Sequence, residues 1–127
     1  MYYATAVRTA RMQAVLNAID ADVGAGSLEI CSAGYASVLS IIPLVDPAGT
    51  VANGVLTLDC TPALEDASAD ATGTAAIARV KDNSGDIVIG DLTVGTTDTN
   101  IVLTSTSIVE TEPVRITSFV ITEGNAA

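Results

Sequence analysis

The sequence predicts a mainly β domain, a β-sandwich or jelly-roll-like arrangement of about seven or eight short strands preceded by one N-terminal α-helix. Three observations carry this expectation. From Ser27 onward, short apolar runs alternate with Gly, Asn, Asp, Ser and Pro at close, regular spacing, the pattern of strands joined by turns. Ahead of them, apolar side chains recur every three or four positions, the period of a helix. A length of 127 residues fits one core better than two. The chain is therefore taken as a single domain, 1–127, with an N-terminal arm at 1–5, a helix at 6–23 and a β-sandwich at 27–122.

Helical periodicity extends from Ala4 to Val23. Met12, Val15, Leu16, Ile19 and Val23 fall on one arc, and Gly24 and Gly26 follow as a stop. Val7, Ala10, Ala14, Ala18 and Ala21 form a second, small-residue stripe, which either meets a neighbouring subunit or is a solvated flank of good helix formers. Arg8 and Arg11 stand near the helix start, where positive charge opposes the macrodipole. An acidic neighbouring surface would offset that cost, and solvent screening would do so equally. Tyr2 and Tyr3 lie outside the helical pattern, in an arm suited to anchoring on a partner.

In the β region, Leu28 and Ile30 alternate with Glu29 and Cys31, and a turn at Ala33-Gly34 leads into the apolar run Val38–Val45. Pro43 confines that run to an edge, a bulge or a strand end. Asp46-Pro47-Ala48-Gly49 is a turn. Asn53-Gly54 before the strand Val55–Cys60 suits a tight hairpin, with a looser turn as the alternative. Thr61–Thr72 lacks periodicity and is expected to be an exposed loop.

Gly73–Lys81 and Asp86–Val94 are strands around the turn Asn83-Ser84-Gly85. Gly95–Thr99 turns, Ile101–Thr104 is a short strand, and Ser105–Pro113 is a connection. In Val114–Thr122, Val114, Ile116, Ser118 and Val120 alternate with Arg115, Thr117, Phe119 and Ile121, one face apolar and the other mixed.

Composition bounds the chemistry. Hydrophobic residues make up 49%, yet the aromatics are three Tyr and one Phe, so the core is aliphatic and thin, and added burial against another subunit is expected. Five Lys or Arg against fifteen Asp or Glu give a net charge of -10, which disfavours nucleic acid as a partner. There is no His, hence no ordinary Ser-His-Asp arrangement. No apolar run reaches the ~20 residues of a membrane span, and the N-terminal stretch is too polar for a signal peptide.

Asp82-Asn83-Ser84-Gly85-Asp86 has the oxygen spacing of a calcium loop but lacks the flanking helices and later Glu. Glu65, Asp66 and Asp70 have no feature that sets them opposite one another as an acid/base pair. Cys31 and Cys60, without CxxC spacing, are expected to be free thiols. No catalytic, metal or cofactor site is expected.

The blocks ARMQAVLNAIDADVGAGSLEI, ANGVLTLD, SADATGTAAIARVKDNSGDIVIGDLTVGT and IVLTSTSIVETEPVRITSFVITEGN, in that order, resemble the small virion proteins of tailed bacteriophages, of the cement or head-decoration type. The resemblance covers nearly the whole chain. Departures fall at Ala76, Ile77 and Ala78, and at Glu112-Pro113. The resemblance implies a non-enzymatic capsid protein, made in the host cytoplasm, that binds the outer surface between major capsid protein subunits and neighbouring copies of itself. Tyr2, Tyr3, Arg8 and Arg11 are the expected partner-binding residues. A tail, neck or baseplate component and a host- or glycan-binding module are the alternatives.

Overall fold

The helix α1 spans Thr5–Ile19 in the computed structural model, which describes residues 3–21, 24–60 and 64–122. Met12, Leu16 and Ile19 are buried along one face, with Val15 packed beside them. The helix starts one residue inside the expected arm and ends short of the expected Val23, which lies outside the described residues. Asp20 is the reason for the early end. Its N–H still reaches the Leu16 carbonyl at 3.1 Å, but its carboxylate accepts the Ala48 N–H at 3.2 Å and ties the helix terminus to the sheet. On the small-residue stripe, Val7, Ala10, Ala14 and Ala21 are exposed and Ala18 is half-buried.

The strands are β1 (Ser27–Cys31), β2 (Val38–Pro43), β3 (Gly49–Ala52), β4 (Val55–Leu58), β5 (Leu64–Asp66), β6 (Gly73–Thr74), β7 (Ile77–Lys81), β8 (Ile87–Gly95), β9 (Ile101–Leu103), β10 (Ser107–Ile108) and β11 (Val114–Thr122). One curled sheet runs β2-β1-β7-β8-β9-β11-β4-β3, with β5 also on β11; β6 and β10 form a separate pair. The curl brings β5 back beside β2, where Ser40 Oγ donates to the Asp66 carboxylate at 2.8 Å and the Asp70 N–H donates to the Leu39 carbonyl at 2.8 Å. The two halves thus face each other as a sandwich-like β fold, and α1 packs against β3, β4 and β8.

Each β–β pair is antiparallel except β8 with β9. β2 is an edge strand and Pro43 is its last residue, where a missing N–H interrupts no ladder. Asn53 and Gly54 have φ of 51° and 77° and close the β3–β4 hairpin with Ala52 opposite Val55, the two-residue turn in which both residues are left-handed. At Gly49 a Cβ would lie 2.2 Å from the Thr57 carbonyl oxygen, so the close approach of β3 to β4 requires glycine there.

Several strand boundaries differ from expectation, four of them in ways that matter for the fold. Residues 64–66 of the expected loop form β5, because Leu64 and Ala69 fill core positions and Glu65 sits opposite Arg115. The expected strand 73–81 divides at Ala75-Ala76, where the chain changes partners: the Ala75 N–H bonds the Thr106 carbonyl and the Ala76 N–H bonds that of Cys31. β10 therefore appears within the expected connection 105–113. The strand expected to reach Cys60 ends at Leu58.

The core of the described residues is one aliphatic cluster with Phe119 its single buried aromatic. Leu28, Ile30, Leu39 and Ile42 come from one half, and Leu56, Ile101, Ile116 and Phe119 from the other. Each such side chain contributes about 1.5–3 kcal/mol on burial. β1 is covered on both faces, since Glu29 and Cys31 are buried as well as Leu28 and Ile30.

Candidate interaction surface

Three of the four expected partner-binding residues come together at the start of α1. Arg8 Nε donates to the Tyr3 carbonyl at 3.2 Å and Arg8 Nη2 to Thr5 Oγ1 at 3.0 Å. The Arg11 guanidinium lies 4.6 Å from the centroid of the Tyr3 ring, a cation–π contact worth about 0.5–1 kcal/mol at an exposed site. Residues 3 and 4 are therefore folded back on the helix. Tyr2 lies outside the described residues. No side chain caps the helix at Ala4 and no acid occupies its first turn; Arg8 and Thr5 are among the groups that order this end.

The start of α1 is fixed to the sheet by the β3–β4 turn. The Gly54 N–H donates to Thr9 Oγ1 at 2.8 Å, and a Cβ at Gly54 would sit 3.0 Å from the Arg8 Cβ. The outward surface next to it carries Tyr3 and Val7, both exposed.

A second constellation lies on the outer face of β2, β1, β7 and β8. Register places Ile41, Glu29 and Arg79 in one row, and Pro43, Ser27, Lys81 and Ile87 in the next. Arg79 Nε meets Glu29 Oε1 at 2.7 Å and Lys81 Nζ meets Glu29 Oε2 at 3.1 Å. Burial raises the Glu29 carboxyl, but hydrogen bonds and charge from Arg79 and Lys81 outweigh it and hold the group below its ordinary value. The hydrogen bond to Glu29 in turn raises Arg79.

Arg79 also lies 4.9 Å above the Tyr35 ring, and the Tyr35 hydroxyl engages Asp91. Burial raises the Tyr35 phenol. Exposed Ile41 and Ile87 flank this set, so the face combines apolar contact area with charges already matched inside the domain. Nothing local in the sequence announces it, because Glu29 and Arg79 are 50 positions apart and Tyr35 and Asp91 are 56 apart.

The acidic residues of the expected loop diverge. Glu65 pairs with Arg115 at 2.9 Å in an exposed bridge, whereas both Asp66 oxygens are engaged, by Ser40 and by the Ser68 N–H. In the Asp82–Asp86 turn, one Asp82 oxygen accepts the N–H groups of Ser84 and Asp86 at 2.9 and 3.0 Å, an Asx-type turn that orders the β7–β8 hairpin. Among the described residues no group of three or more His, Cys, Asp and Glu is arranged to hold a metal ion.

Cys31 and Cys60 are free thiols, both pushed up by burial. An open groove of about 490 Å³ passes over β3, β4 and β11, lined by Pro47, Thr50, Thr57, Cys60, Thr117 and Phe119. Its threonine hydroxyls can hydrogen-bond a ligand but do not titrate near neutrality. No helix among the described residues is long and apolar enough to cross a membrane.

The fold is thus that of a β-sandwich-like domain with one N-terminal helix. No protein-family model, curated protein or solved structure matches the chain.

Proposed function

We propose that this protein is a non-enzymatic structural component of a tailed-bacteriophage virion, a cement or decoration protein that adheres to the outer capsid surface between major capsid protein subunits. The reading starts from the resemblance in block order along the chain. The observation that carries it further is the cluster of Tyr3, Arg8 and Arg11 at the start of α1. Arg79, Lys81 and Arg115 are matched to Glu29 and Glu65 of the same domain, which lowers the desolvation cost of covering those faces. Arg8 and Arg11 are gathered with Tyr3 beside exposed Val7, at one end of a helix.

That end is the surface we assign to the capsid or to a neighbouring copy, with aromatic and arginine side chains of the kind that dominate interfaces. Added burial there would supplement an aliphatic core that holds one aromatic side chain.

Quantitative mass spectrometry of purified particles and DNA-free heads tests the assignment. A cement protein appears in fixed proportion to the major capsid protein and stays on DNA-free heads. Recovery only with tails, necks or baseplates overturns the capsid assignment in favour of another virion position. Glycan binding by the purified domain, with no attachment to heads, overturns it in favour of a displayed binding module.

A further inference from the structure

The β3–β4 turn carries a chemistry that the adhesive reading does not use. Asn53 is exposed, it is followed by glycine, and both residues hold left-handed backbone conformations. An asparagine side-chain amide next to glycine meets no Cβ when the following backbone nitrogen approaches it. Here that nitrogen is held elsewhere. The Gly54 N–H donates to Thr9 Oγ1 of α1 at 2.8 Å, Gly54 is buried, and the stem of Arg8 lies directly over it.

We propose that Asn53-Gly54 is a spontaneous modification site, an asparagine that deamidates through a succinimide, and that Thr9 is the residue that restrains it. In the reaction the Gly54 nitrogen bonds to Asn53 Cγ, the Cγ–Nδ2 bond breaks, and ammonia leaves carrying the proton lost from the Gly54 nitrogen. Water then opens the ring at either carbonyl to give aspartate or isoaspartate. Nothing is oxidised or reduced, and solvent water is the sole co-reactant.

The first step requires the Gly54 N–H to leave Thr9, so it proceeds from conformations in which α1 has lifted off the turn. Either product alters the same contact. Aspartate adds a negative charge at the residue preceding Gly54, over which the Arg8 side chain lies. Isoaspartate lengthens the main chain of a two-residue turn by one carbon, so the Ala52–Val55 register and the Thr9 bond can no longer both be kept. Deamidation at Asn53 therefore marks molecules whose helix has been displaced, and it favours further displacement.

The test is incubation of the purified protein at mildly alkaline pH, followed by intact mass measurement and isoaspartate peptide mapping. Wild type, Thr9→Val, Thr9→Ser and Asn53→Gln are compared. Thr9→Val is expected to convert at Asn53 roughly five- to tenfold faster than wild type, the factor that one hydrogen bond commands. Thr9→Ser keeps the hydroxyl and should match wild type; Asn53→Gln should remove the signal.

Equal rates in wild type and Thr9→Val overturn the restraint by Thr9. Absence of conversion at Asn53 in the denatured chain overturns the site itself. Because Thr9→Val could loosen the whole domain, a second measurement uses wild type alone. Across sub-denaturing urea, the conversion rate should rise in step with hydrogen exchange at the Gly54 amide, and independence of the two overturns the proposal.

Discussion

The Tyr35 hydroxyl and Asp91 are joined twice: the hydroxyl donates to the Asp91 carboxylate at 2.9 Å and accepts the Asp91 N–H at 2.6 Å. Both residues have positive φ, 59° and 56°, which side chains with a Cβ adopt at a cost. For Asp91 the reason lies in the β7–β8 register, where Ala78 faces Leu92 and Val80 faces Ile89, so Gly90 and Asp91 together oppose Arg79. Tyr35 reaches over Arg79 and grips this bulge. Tyr35→Phe removes both bonds and should destabilise the domain by about 1 kcal/mol, since water replaces part of what is lost at an exposed site. Asp91→Gly relieves the left-handed strain and keeps the N–H donor, so it should cost less than Tyr35→Phe in urea denaturation. The reverse order would mean that the carboxylate, not the backbone bond, secures the bulge.

Glu29 gives the domain an acid-sensitive point. Its carboxyl is held below the ordinary value of 4.5 by Arg79 and Lys81. A depressed folded-state pKa contributes stability that is present above 4.5 and is lost as pH falls below it through the folded value. Glu29→Gln should destabilise by about 1–3 kcal/mol at neutral pH, because Arg79 and Lys81 then share a partly covered face without their counter-charge. Urea midpoints for wild type and variant should converge as the medium is acidified through that window. A constant gap down to strongly acidic pH would show that the variant's loss is one of packing.

What the sequence disclosed and what it hid separate by the distance over which the determining contact acts. The Asn53-Gly54 hairpin and the full extent of β11 are set by neighbours along the chain, and both were legible. Leu64–Asp66 has no period to detect in three residues; it is a strand because β11 offers a partner and the core has room for Leu64. The break at Ala75-Ala76 is likewise a change of partner, invisible in a stretch that is uniformly strand-like. At the candidate surface, the nearness of Arg8 and Arg11 follows from their helical spacing, whereas the fold of Tyr3 onto them has no such signal and the Glu29–Arg79–Tyr35–Asp91 chain depends on pairings across more than half of the β region.

Asn100 fastens the point where the sheet passes from one half to the other. Its side-chain oxygen accepts both the N–H and the hydroxyl of Thr93 at 3.0 Å, and its amide nitrogen donates to the Val120 carbonyl at 3.3 Å. These bonds link β8 and β11 beside the parallel β8–β9 pair, which consists of only Val94–Ile101 and Gly95–Val102. Asn100→Ala should cost about 0.5–1.5 kcal/mol, since water replaces part of what is lost at exposed Thr93 and only the half-buried Val120 carbonyl loses a covered donor. Amide exchange should accelerate at Thr93. If exchange there is unchanged, Asn100 is not what holds the crossing together.

The inward pattern of β11 turns on Thr117. Ile116 pairs with Leu103 and Ser118 with Val102, so Thr117 is an extra residue, and its hydroxyl donates to the Val102 carbonyl at 3.0 Å. The bulge shifts the phase of the strand: Val114 and Ile116 are buried before it, Phe119 and Ile121 after it. Strict alternation would instead place Ser118 and Val120 inside with Ile116 and turn Phe119 outward. Alanine substitutions distinguish the two arrangements. Phe119 is 1% exposed, so Phe119→Ala should cost about 3–5 kcal/mol through lost burial and a residual cavity. Val120→Ala, at a half-buried position, should cost less than about 1 kcal/mol. Thr117→Val should lose about 0.5–1.5 kcal/mol with its hydrogen bond. A larger loss at Val120 than at Phe119 in equilibrium unfolding would mean that β11 runs straight, with Phe119 outside the core.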